Sequence, residues 1–270
     1  MASRSQIAAR QARIFARLER QTKQAIRAEI YRSSMEIVRV YTLTREVMPA
    51  YGHVERLRKI YFDLAKLSIS TAGKEFNRQF KDAGMALEIK EDLDEWEQWA
   101  LDYINREMIR ERIVDVSETT REIIVDSVDK GFRAGMGQEA IAKEITERVP
   151  EISTRRAGVI ARTETHGASN YGTQRMAESI GVPMRKVWIS GQDDRVRRIP
   201  RDGYDHAQMD GVQVEMDEPF LVPSKAGPPD AIMYPGDPAG AAANVINCRC
   251  TLSHEVIKTW TDDDVFAGLD

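Results

Sequence analysis

Prolines and glycines are unevenly distributed along this chain of 270 residues, and that distribution restricts the fold more than any other feature. Eight of the ten prolines and seven of the seventeen glycines lie in residues 181–251. Such residues mark turns, whereas the preceding 180 residues show mostly helical apolar spacing. We therefore predict an α+β fold, in which long N-terminal helices precede a small loop-rich module made of a helix and an irregular sheet.

Short β-like runs lie between the turn signals of the second part. They are "RKVWIS" at 185–190, "VQVEM" at 212–216 and "CRCTLS" at 248–253. Each contains β-branched, aromatic or other apolar residues, and turn signals rich in glycine, proline or aspartate lie between the runs, which is typical of short strands.

The composition shifts predict four successive stretches. They are a helical arm for docking or oligomer contacts over 1–90, a helical lead-in over 91–152, the loop-rich module over 153–255 and an acidic tail over 256–270. Within the helical part we predict separate helices over about 100–133, over 137–149 and over 153–180, with Pro150 as the break between the last two.

Residues 1–48 are predicted to form one long helix with two different faces. The apolar residues Ile7, Ile14, Leu18 and Ala25 follow helical spacing and are expected to dock on a partner. The opposite face carries a row of arginines, namely Arg10, Arg13, Arg17, Arg20 and Arg27. Such a row fits either nucleic-acid phosphates or an acidic protein surface, and its spacing alone does not decide between the two.

Glu164 lies on the small apolar stripe of the predicted helix 153–180. A carboxylate on a core-facing position is costly to bury unless it is paired, so we expect a salt bridge with Arg195 or Arg197. The Trp188 indole N–H is an alternative partner. Catalytic carboxylates also occupy such positions, but structural pairs are more common.

The chain has two cysteines, Cys248 and Cys250, one residue apart. Together with His206 they form a candidate set of three zinc ligands, with Asp237, Asp205 or water as the fourth. A C-x-C pair is an unusual spacing for zinc, and two other interpretations remain open. The thiols are either buried and free beside an exposed histidine, or they form a disulfide after release from a reducing cytoplasm.

Complete catalytic motifs are absent from the sequence. There is no nucleophile elbow, zinc-protease motif, phosphate-binding loop or dinucleotide-binding glycine motif. We therefore expect a protein that is not an enzyme. The alternative is a metal-dependent nuclease or a transferase that uses Glu164, Arg162 and His206.

The order of motifs in the second half of the chain resembles the phage Mu F-like minor head protein family, also called the phage head-morphogenesis domain. The order is "RAGVIARTETHGASNYG", "KVWISGQDDRVR", His206 with "MDG", "DEPF", "YPGDP" and "NVINCRC". The resemblance covers about residues 109–254. Each motif is weak alone, but the ordered set is specific.

The resemblance implies a minor structural protein of a tailed-phage head that acts in head assembly and in DNA packaging or delivery. It places the chain in the virion, inside the capsid near the portal, after assembly in the host cytoplasm. The implied partners are the portal protein, the major capsid or scaffold protein, double-stranded DNA and further copies of the chain. No membrane partner is expected, because no apolar run approaches ~18 residues. No cofactor is implied beyond a structural zinc ion.

Overall fold

The computed structural model describes residues 3–82 and 93–257. Five long helices come first: α1 (Arg4–Thr44), α2 (His53–Asp82), α3 (Leu93–Asn105), α4 (Glu107–Arg133) and α5 (Gln138–Ile180). Five short strands and a small helix follow: β1 (Met184–Ile189), β2 (Gln213–Glu215), β3 (Phe220–Val222), β4 (Asp230–Ile232), α6 (Ala242–Val245) and β5 (Thr251–Val256). This order confirms the predicted α+β class. Most of the predicted acidic tail lies outside the described residues.

The chain groups into two compact units that differ from the four predicted stretches. The first unit comprises Met1–Leu18, Ala65–Tyr103 and Arg162–Asp270, and the second comprises Glu19–Leu64 and Ile104–Ala161. Helices α1, α2 and α5 each contribute residues to both units. The predicted arm over 1–90 is therefore not a separate body, because its helices supply core residues to each unit.

The second unit has its own apolar core, formed where α1, α4 and α5 pack together. Its buried members are Ile37, Val38, Tyr41, Ile124, Val128, Ile141, Ala142, Ile145 and Val149. The side-chain amide of Gln138 donates hydrogen bonds to the carbonyls of Tyr41 and Thr42, at 2.8 and 2.9 Å. This amide satisfies two carbonyls that the end of α1 would otherwise leave without donors.

A buried carboxylate in this unit is paired in the way that the sequence analysis predicted for Glu164. Glu29 on α1 contacts both His53 Nδ1 and Arg56 Nε through its Oε1 atom, each at 2.8 Å. Burial lowers the pKa of His53, and the hydrogen bond with Glu29 acts in the opposite direction. The second ring nitrogen of His53 lies 3.3 Å from Ser33 Oγ, so the polar side chains of this cluster contact one another.

The predicted docking stripe of α1 is wrong in two respects. Leu18 is fully buried and Ile7 and Ile14 are half-buried in this single chain, while Ala25 is exposed. The face that is actually buried follows steps of three and four, through Phe15, Leu18, Thr22 and Ile26. The apolar residues from Ile26 onward lie one position out of step with the predicted stripe. They determine which side of α1 packs into the chain's own core.

The predicted arginine face has one exception. Arg10 contacts the buried carboxylate of Glu75 at 2.6 Å and the exposed carboxylate of Asp82 at 3.5 Å, and it is therefore part of the first unit. The other four members, Arg13, Arg17, Arg20 and Arg27, are exposed along α1.

Two predicted helix boundaries are also wrong. Pro150 lies inside α5, which is continuous from Gln138 to Ile180. A proline inside a helix costs ~3 kcal/mol, and we infer that the burial of Val149 on one side and of Ser153 and Ala157 on the other offsets this cost. The predicted helix 100–133 is divided instead at Arg106, whose ψ of 135° is extended.

The strands form two small antiparallel sheets in the first unit. The first has the order β2-β1-β5, with Trp188 opposite Leu252 and Lys186 opposite His254, and the second pairs β3 with β4. The three predicted strands are confirmed as β1, β2 and β5, although both cysteines precede β5. The strands β3 and β4 were not predicted, because three-residue strands carry too little alternation to be recognised.

The central strand carries a lysine that is fully buried. Lys186 Nζ donates to the Met233 carbonyl at 3.1 Å and lies 5.4 Å from the centre of the Phe220 ring. Burial lowers the pKa of Lys186 to about 8, although Glu178 and three further carboxylates nearby favour its charged form. The folded chain therefore holds its proton on this lysine less strongly than the unfolded chain does.

Replacement of Lys186 by Met should remove a pH dependence of stability above pH 8. The folded-state pKa lies below the unfolded value of 10.5, so the unfolded state binds more protons between these values and wild-type stability rises with pH. Between pH 7.5 and 9.5 the wild-type free energy of unfolding should increase by about 2 kcal/mol relative to the Lys186→Met variant. Urea unfolding at both pH values measures this, with exposed Lys143→Met as the control. Equal slopes for wild type and Lys186→Met would contradict it.

Candidate functional site

The C-terminal half of α5 carries an unusually polar buried face, and the loops of the module fold onto it. Thr163, Glu164, Thr165, His166, Ser169 and Asn170 are all buried. Asn170 is the centre of this face. Its Nδ2 donates to the carbonyls of Pro235 and Cys250 at 2.7 and 3.1 Å, and its Oδ1 accepts the Leu252 N–H at 3.0 Å. One side chain therefore holds both the turn near residue 235 and the start of β5.

A second set of contacts fixes the turn that precedes the cysteines. Asn247 adopts a positive φ of 61°, a conformation in which asparagine is several-fold enriched. Its backbone N–H donates to Thr163 Oγ1 at 3.0 Å, and its Oδ1 accepts a hydrogen bond from Arg162 at 3.1 Å. Helix α5 thus holds both sides of the segment that contains Cys248 and Cys250.

The polar face of α5 includes a glycine, Gly167, where the loop near Gly236 packs closely against the helix. A Cβ atom at this position would lie 2.6 Å from Tyr103 Oη and 3.0 Å from the Gly236 carbonyl oxygen. The second distance is to backbone of the loop, which has little freedom to move aside. Gly167 therefore permits the turn around residue 236 to approach the helix directly.

Glu164 is buried as predicted, and both predicted arginines contact other groups. Arg195 is exposed and contacts Asp193 at 3.4 Å, while the Arg197 guanidinium donates to the Ile246 carbonyl. Both arginines lie in the turns that follow β1, and not in a strand that faces α5. Their side chains therefore contact acceptors that lie close to those turns. Trp188 packs edge-on against His206 and Phe220, each with ring centres 5.4 Å apart.

The arginine that connects two of the sequence motifs is Arg249, which lies between the two cysteines. Its guanidinium forms a two-pronged contact with the carboxylate of Asp193, and this hydrogen bonding is the main cause that lowers the pKa of Asp193. The "GQDDRVR" and "NCRC" motifs are therefore joined by a salt bridge. Arg249 is only partly buried, whereas Cys248 and Cys250 are each 2 % exposed, which places the arginine and the thiols on opposite sides of the segment.

The two cysteines and His206 converge inside the module. His206 Nδ1 lies 3.6 Å from Cys248 Sγ and 3.5 Å from Cys250 Sγ, and all three ligand atoms lie within 4.8 Å of one another. All three residues are buried. The expected convergence of these residues is therefore found, and the interpretation with an exposed histidine is wrong. Both cysteines are free thiols, not a disulfide, in this structure.

A chain of hydrogen bonds fixes the protonation of the His206 ring. Asn244 Nδ2 donates to Asp230 Oδ2 at 2.7 Å, so Asn244 Oδ1 is the acceptor of the 2.6 Å hydrogen bond with His206 Nε2. The ring proton is therefore on Nε2, and the lone pair of Nδ1 points towards the sulfurs. The backbone N–H of His206 also donates to the Arg197 carbonyl at 3.1 Å, which holds the loop in place.

The two thiols differ in their tendency to ionise. A hydrogen bond from Cys250 lowers the pKa of Cys248 well below its usual value. Burial raises the pKa of Cys250, while the Trp188 indole and the Gly191 N–H oppose that effect. A thiolate is therefore favoured at Cys248, in a cluster whose polar surroundings accommodate one negative charge.

The two predicted carboxylate ligands are used elsewhere. Asp237 accepts hydrogen bonds from the backbone N–H groups of Met233 and Ala239, at 3.0 and 3.1 Å. Asp205 accepts hydrogen bonds from Gln208 and from the Ile199 N–H. Among residues 3–82 and 93–257, no fourth histidine, cysteine or carboxylate joins the cluster.

The residues of the enzyme alternative have structural contacts. His206 contacts Asn244 and both thiols, Arg162 contacts Asn247, and Glu164 is buried on α5. Arg162 contacts Asn247, which directly precedes Cys248, so Arg162 and the cysteine thiols hold the same turn. These contacts account for the packing of the loops.

These contacts define a loop-rich structural module built on the polar face of one long helix. Residues 122–253 match the sequence model of a family described as Phage Mu protein F like protein. The predicted resemblance to this phage head-morphogenesis family is therefore confirmed over this part of the chain.

The chain is also similar to the uncharacterized protein YqbB of Bacillus subtilis (strain 168). The two are 28% identical over 135 residues, which is 50% of this chain and 41% of the relative. The matched part thus spans about two fifths of YqbB. No solved structure matches the chain. In the described part of the chain, none of the helices combines the length and the hydropathy of a membrane span.

Sequence reasoning missed the side chains that organise the site. Asn170, Asn244, Asp193 and Asp230 were not singled out, although each binds a residue or segment that was. The available signal was an asparagine inside a helix, since asparagine competes with the helical backbone for hydrogen bonds and usually occurs there for a specific contact. The partners of Asn244 and Asp230 lie across loops and leave no local pattern.

Proposed function

We propose that this protein is a minor structural component of a tailed-phage head, associated with the portal vertex and the capsid interior. It acts there in head assembly and in DNA packaging or delivery. The observation that carries the proposal is the family match over residues 122–253, which covers the buried polar face of α5 and the cysteine–histidine cluster. The proposed partners are the portal protein, the major capsid or scaffold protein, further copies of the chain and double-stranded DNA.

The exposed part of α1 supports the proposed contact with DNA or with an acidic channel wall. Arg13, Arg17, Arg20 and Arg27 follow one another at intervals of four, three and seven residues and are all exposed. Steps of that size place the four guanidinium groups along one side of the helix. DNA phosphates attract such a row without sequence preference, through the release of counterions.

Removal of three of these charges should weaken DNA binding and its dependence on salt. In the Arg13→Ala/Arg17→Ala/Arg20→Ala variant, the slope of log affinity against log salt should fall by up to about 3, because each lost phosphate contact removes about 0.9. Binding of the purified chain to double-stranded DNA at several salt concentrations measures this. The control is Arg110→Ala/Arg133→Ala/Arg148→Ala, which removes three equally exposed arginines elsewhere.

The same two variants test the role in the phage. Supplied to a phage that lacks its own copy, both triple variants should enter purified heads, but the α1 variant should give fewer infectious particles. If both variants bind DNA and support infection equally well, the arginine row has no role in DNA contact. If the wild-type chain is absent from purified heads, the proposed function itself is wrong.

A further inference from the structure

We propose that Cys248, Cys250 and His206 bind one zinc ion, which closes the loop-rich module. Two thiolates and one imidazole are the ligand types that zinc prefers in proteins. This inference does not depend on the proposed function, because it is carried by the geometry of the three side chains and by the residues that hold them. A water molecule takes the fourth position, since no further ligand joins the cluster among the described residues.

The distances within the cluster fit a tetrahedral ion. With zinc–sulfur bonds of about 2.3 Å and a zinc–nitrogen bond of about 2.0 Å, tetrahedral geometry places nitrogen and sulfur about 3.5 Å apart. The observed separations of His206 Nδ1 from the two sulfurs are 3.5 and 3.6 Å. A simple S–H to nitrogen hydrogen bond would engage one sulfur, because Nδ1 has one lone pair. Two equal distances are explained better by a common centre that all three atoms face.

The neighbours of His206 prepare it as a ligand. The Asp230–Asn244 pair holds the ring proton on Nε2, so that Nδ1 is unprotonated and directed at the sulfurs. Metal-binding histidines usually donate their second N–H to a carboxylate or carbonyl oxygen, which fixes the ring and raises the basicity of the ligand nitrogen. Here the acceptor is an amide oxygen that is itself oriented by a carboxylate, and Asn244 is fully buried.

The charges of the bound state are also balanced at this place. Two thiolates together carry two negative charges, and a zinc ion compensates both. The exposure of each ligand residue is 2 %. A neutral zinc–dithiolate centre is compatible with that degree of burial.

The position of the ligands gives the ion a structural task. His206 comes from the long connection between β1 and β2, and the cysteines come from the segment between α6 and β5. Three of the five strands are only three residues long, so backbone pairing contributes little to holding these segments together. A zinc ion would link the two segments directly, as it does in small domains with limited cores.

Metal analysis of the full chain, purified without chelators from cells grown with zinc, is the first test. We expect about one zinc per chain. Replacement of zinc by Co²⁺ should give the visible absorption of tetrahedral cobalt and a thiolate-to-cobalt charge-transfer band. Both signals should be lost in Cys248→Ser and Cys250→Ser, and the His254→Phe variant, which changes a histidine outside the cluster, should retain both.

The Asn244→Ala variant tests the ligand geometry specifically. Loss of the oriented amide should weaken zinc binding about 10–100-fold, measured by competition with a chromophoric chelator. If the cysteine variants do not fold, the cobalt spectrum of the wild-type chain still decides the question. A metal-free wild-type chain without a cobalt spectrum would overturn the proposal, and so would a Cys248–Cys250 disulfide in the freshly purified protein.

Discussion

Mild acid should destabilise this protein through His254, and the His254→Phe variant should resist that effect. Both ring nitrogens of His254 are buried, and within the described structure neither makes a hydrogen bond. Burial lowers the pKa of His254 to about 3, with the positive charge of Lys186 on the neighbouring strand acting in the same direction. The ring packs edge-on against Phe76, with centres 5.6 Å apart, so phenylalanine is a close replacement.

The sign follows from proton binding. The folded pKa of about 3 lies below the unfolded value of 6.5, so between these values the unfolded chain binds a proton that the folded chain does not. The stability contributed at neutral pH is therefore lost progressively as the pH falls from 6.5 towards 3. The full loss is about 5 kcal/mol, and about 3 kcal/mol of it should be seen by pH 4.5.

Urea unfolding at pH 8 and pH 4.5 measures this loss. We expect wild type to lose about 3 kcal/mol more than His254→Phe over this range, while the two have similar stability at pH 8. The comparison isolates His254 because acid titration of the other groups, including His53, is common to both proteins. A parallel loss of stability in the two proteins would show that His254 is protonated freely in the folded chain.

Replacement of Asn170 by Ala should have the second large effect, a loss of about 3–4 kcal/mol in the free energy of unfolding. Three hydrogen bonds are removed at once, and the carbonyls of Pro235 and Cys250 and the N–H of Leu252 lose their partner. These groups lie at the centre of the module, where water has little access to replace the lost bonds.

The adjacent Ser169→Ala variant is the matched control. Ser169 is also buried on α5, but its hydroxyl makes no hydrogen bond within the described structure, so its removal should change stability by less than about 0.5 kcal/mol. Asn170→Asp should be at least as damaging as Asn170→Ala, because it directs a carboxylate at two carbonyl oxygens. Denaturant unfolding and amide exchange at Leu252 report both effects. Equal stability of Asn170→Ala and Ser169→Ala would contradict the role given to Asn170.

The fold class was predictable from the sequence because its signals are local. Helical spacing predicted the long helices, and short apolar runs between turns predicted β1, β2 and β5. The predicted helix break at Pro150 was wrong because packing outweighed the local cost of ~3 kcal/mol, and a single sequence does not reveal that packing. The face of α1 was misassigned for a similar reason, since burial of Phe15 and Ile26, and not the first apolar spacing seen, sets its phase.

The residue types that form the candidate site were predicted from the sequence, but only some of the contacts between them were. Cys248, Cys250 and His206 were selected because few other residue types bind metals through sulfur and nitrogen, and the structure brings them together. Pairs that cross loops were not predictable. Arg249 and Asp193 are 56 residues apart in the sequence, and nothing in the local pattern favours this arginine over Arg195 or Arg197.

The alternation of the "NCRC" segment has a consequence for how this chain tolerates insertions. Because Arg249 reaches Asp193 from one side while its two neighbours reach His206 from the other, one added residue between the cysteines would turn a thiol outward and the arginine inward. The spacing of these three residues is therefore fixed as a unit and cannot drift by single-residue insertion or deletion. The exposed turn over 227–229 carries no such constraint, so length variation in related chains should accumulate there.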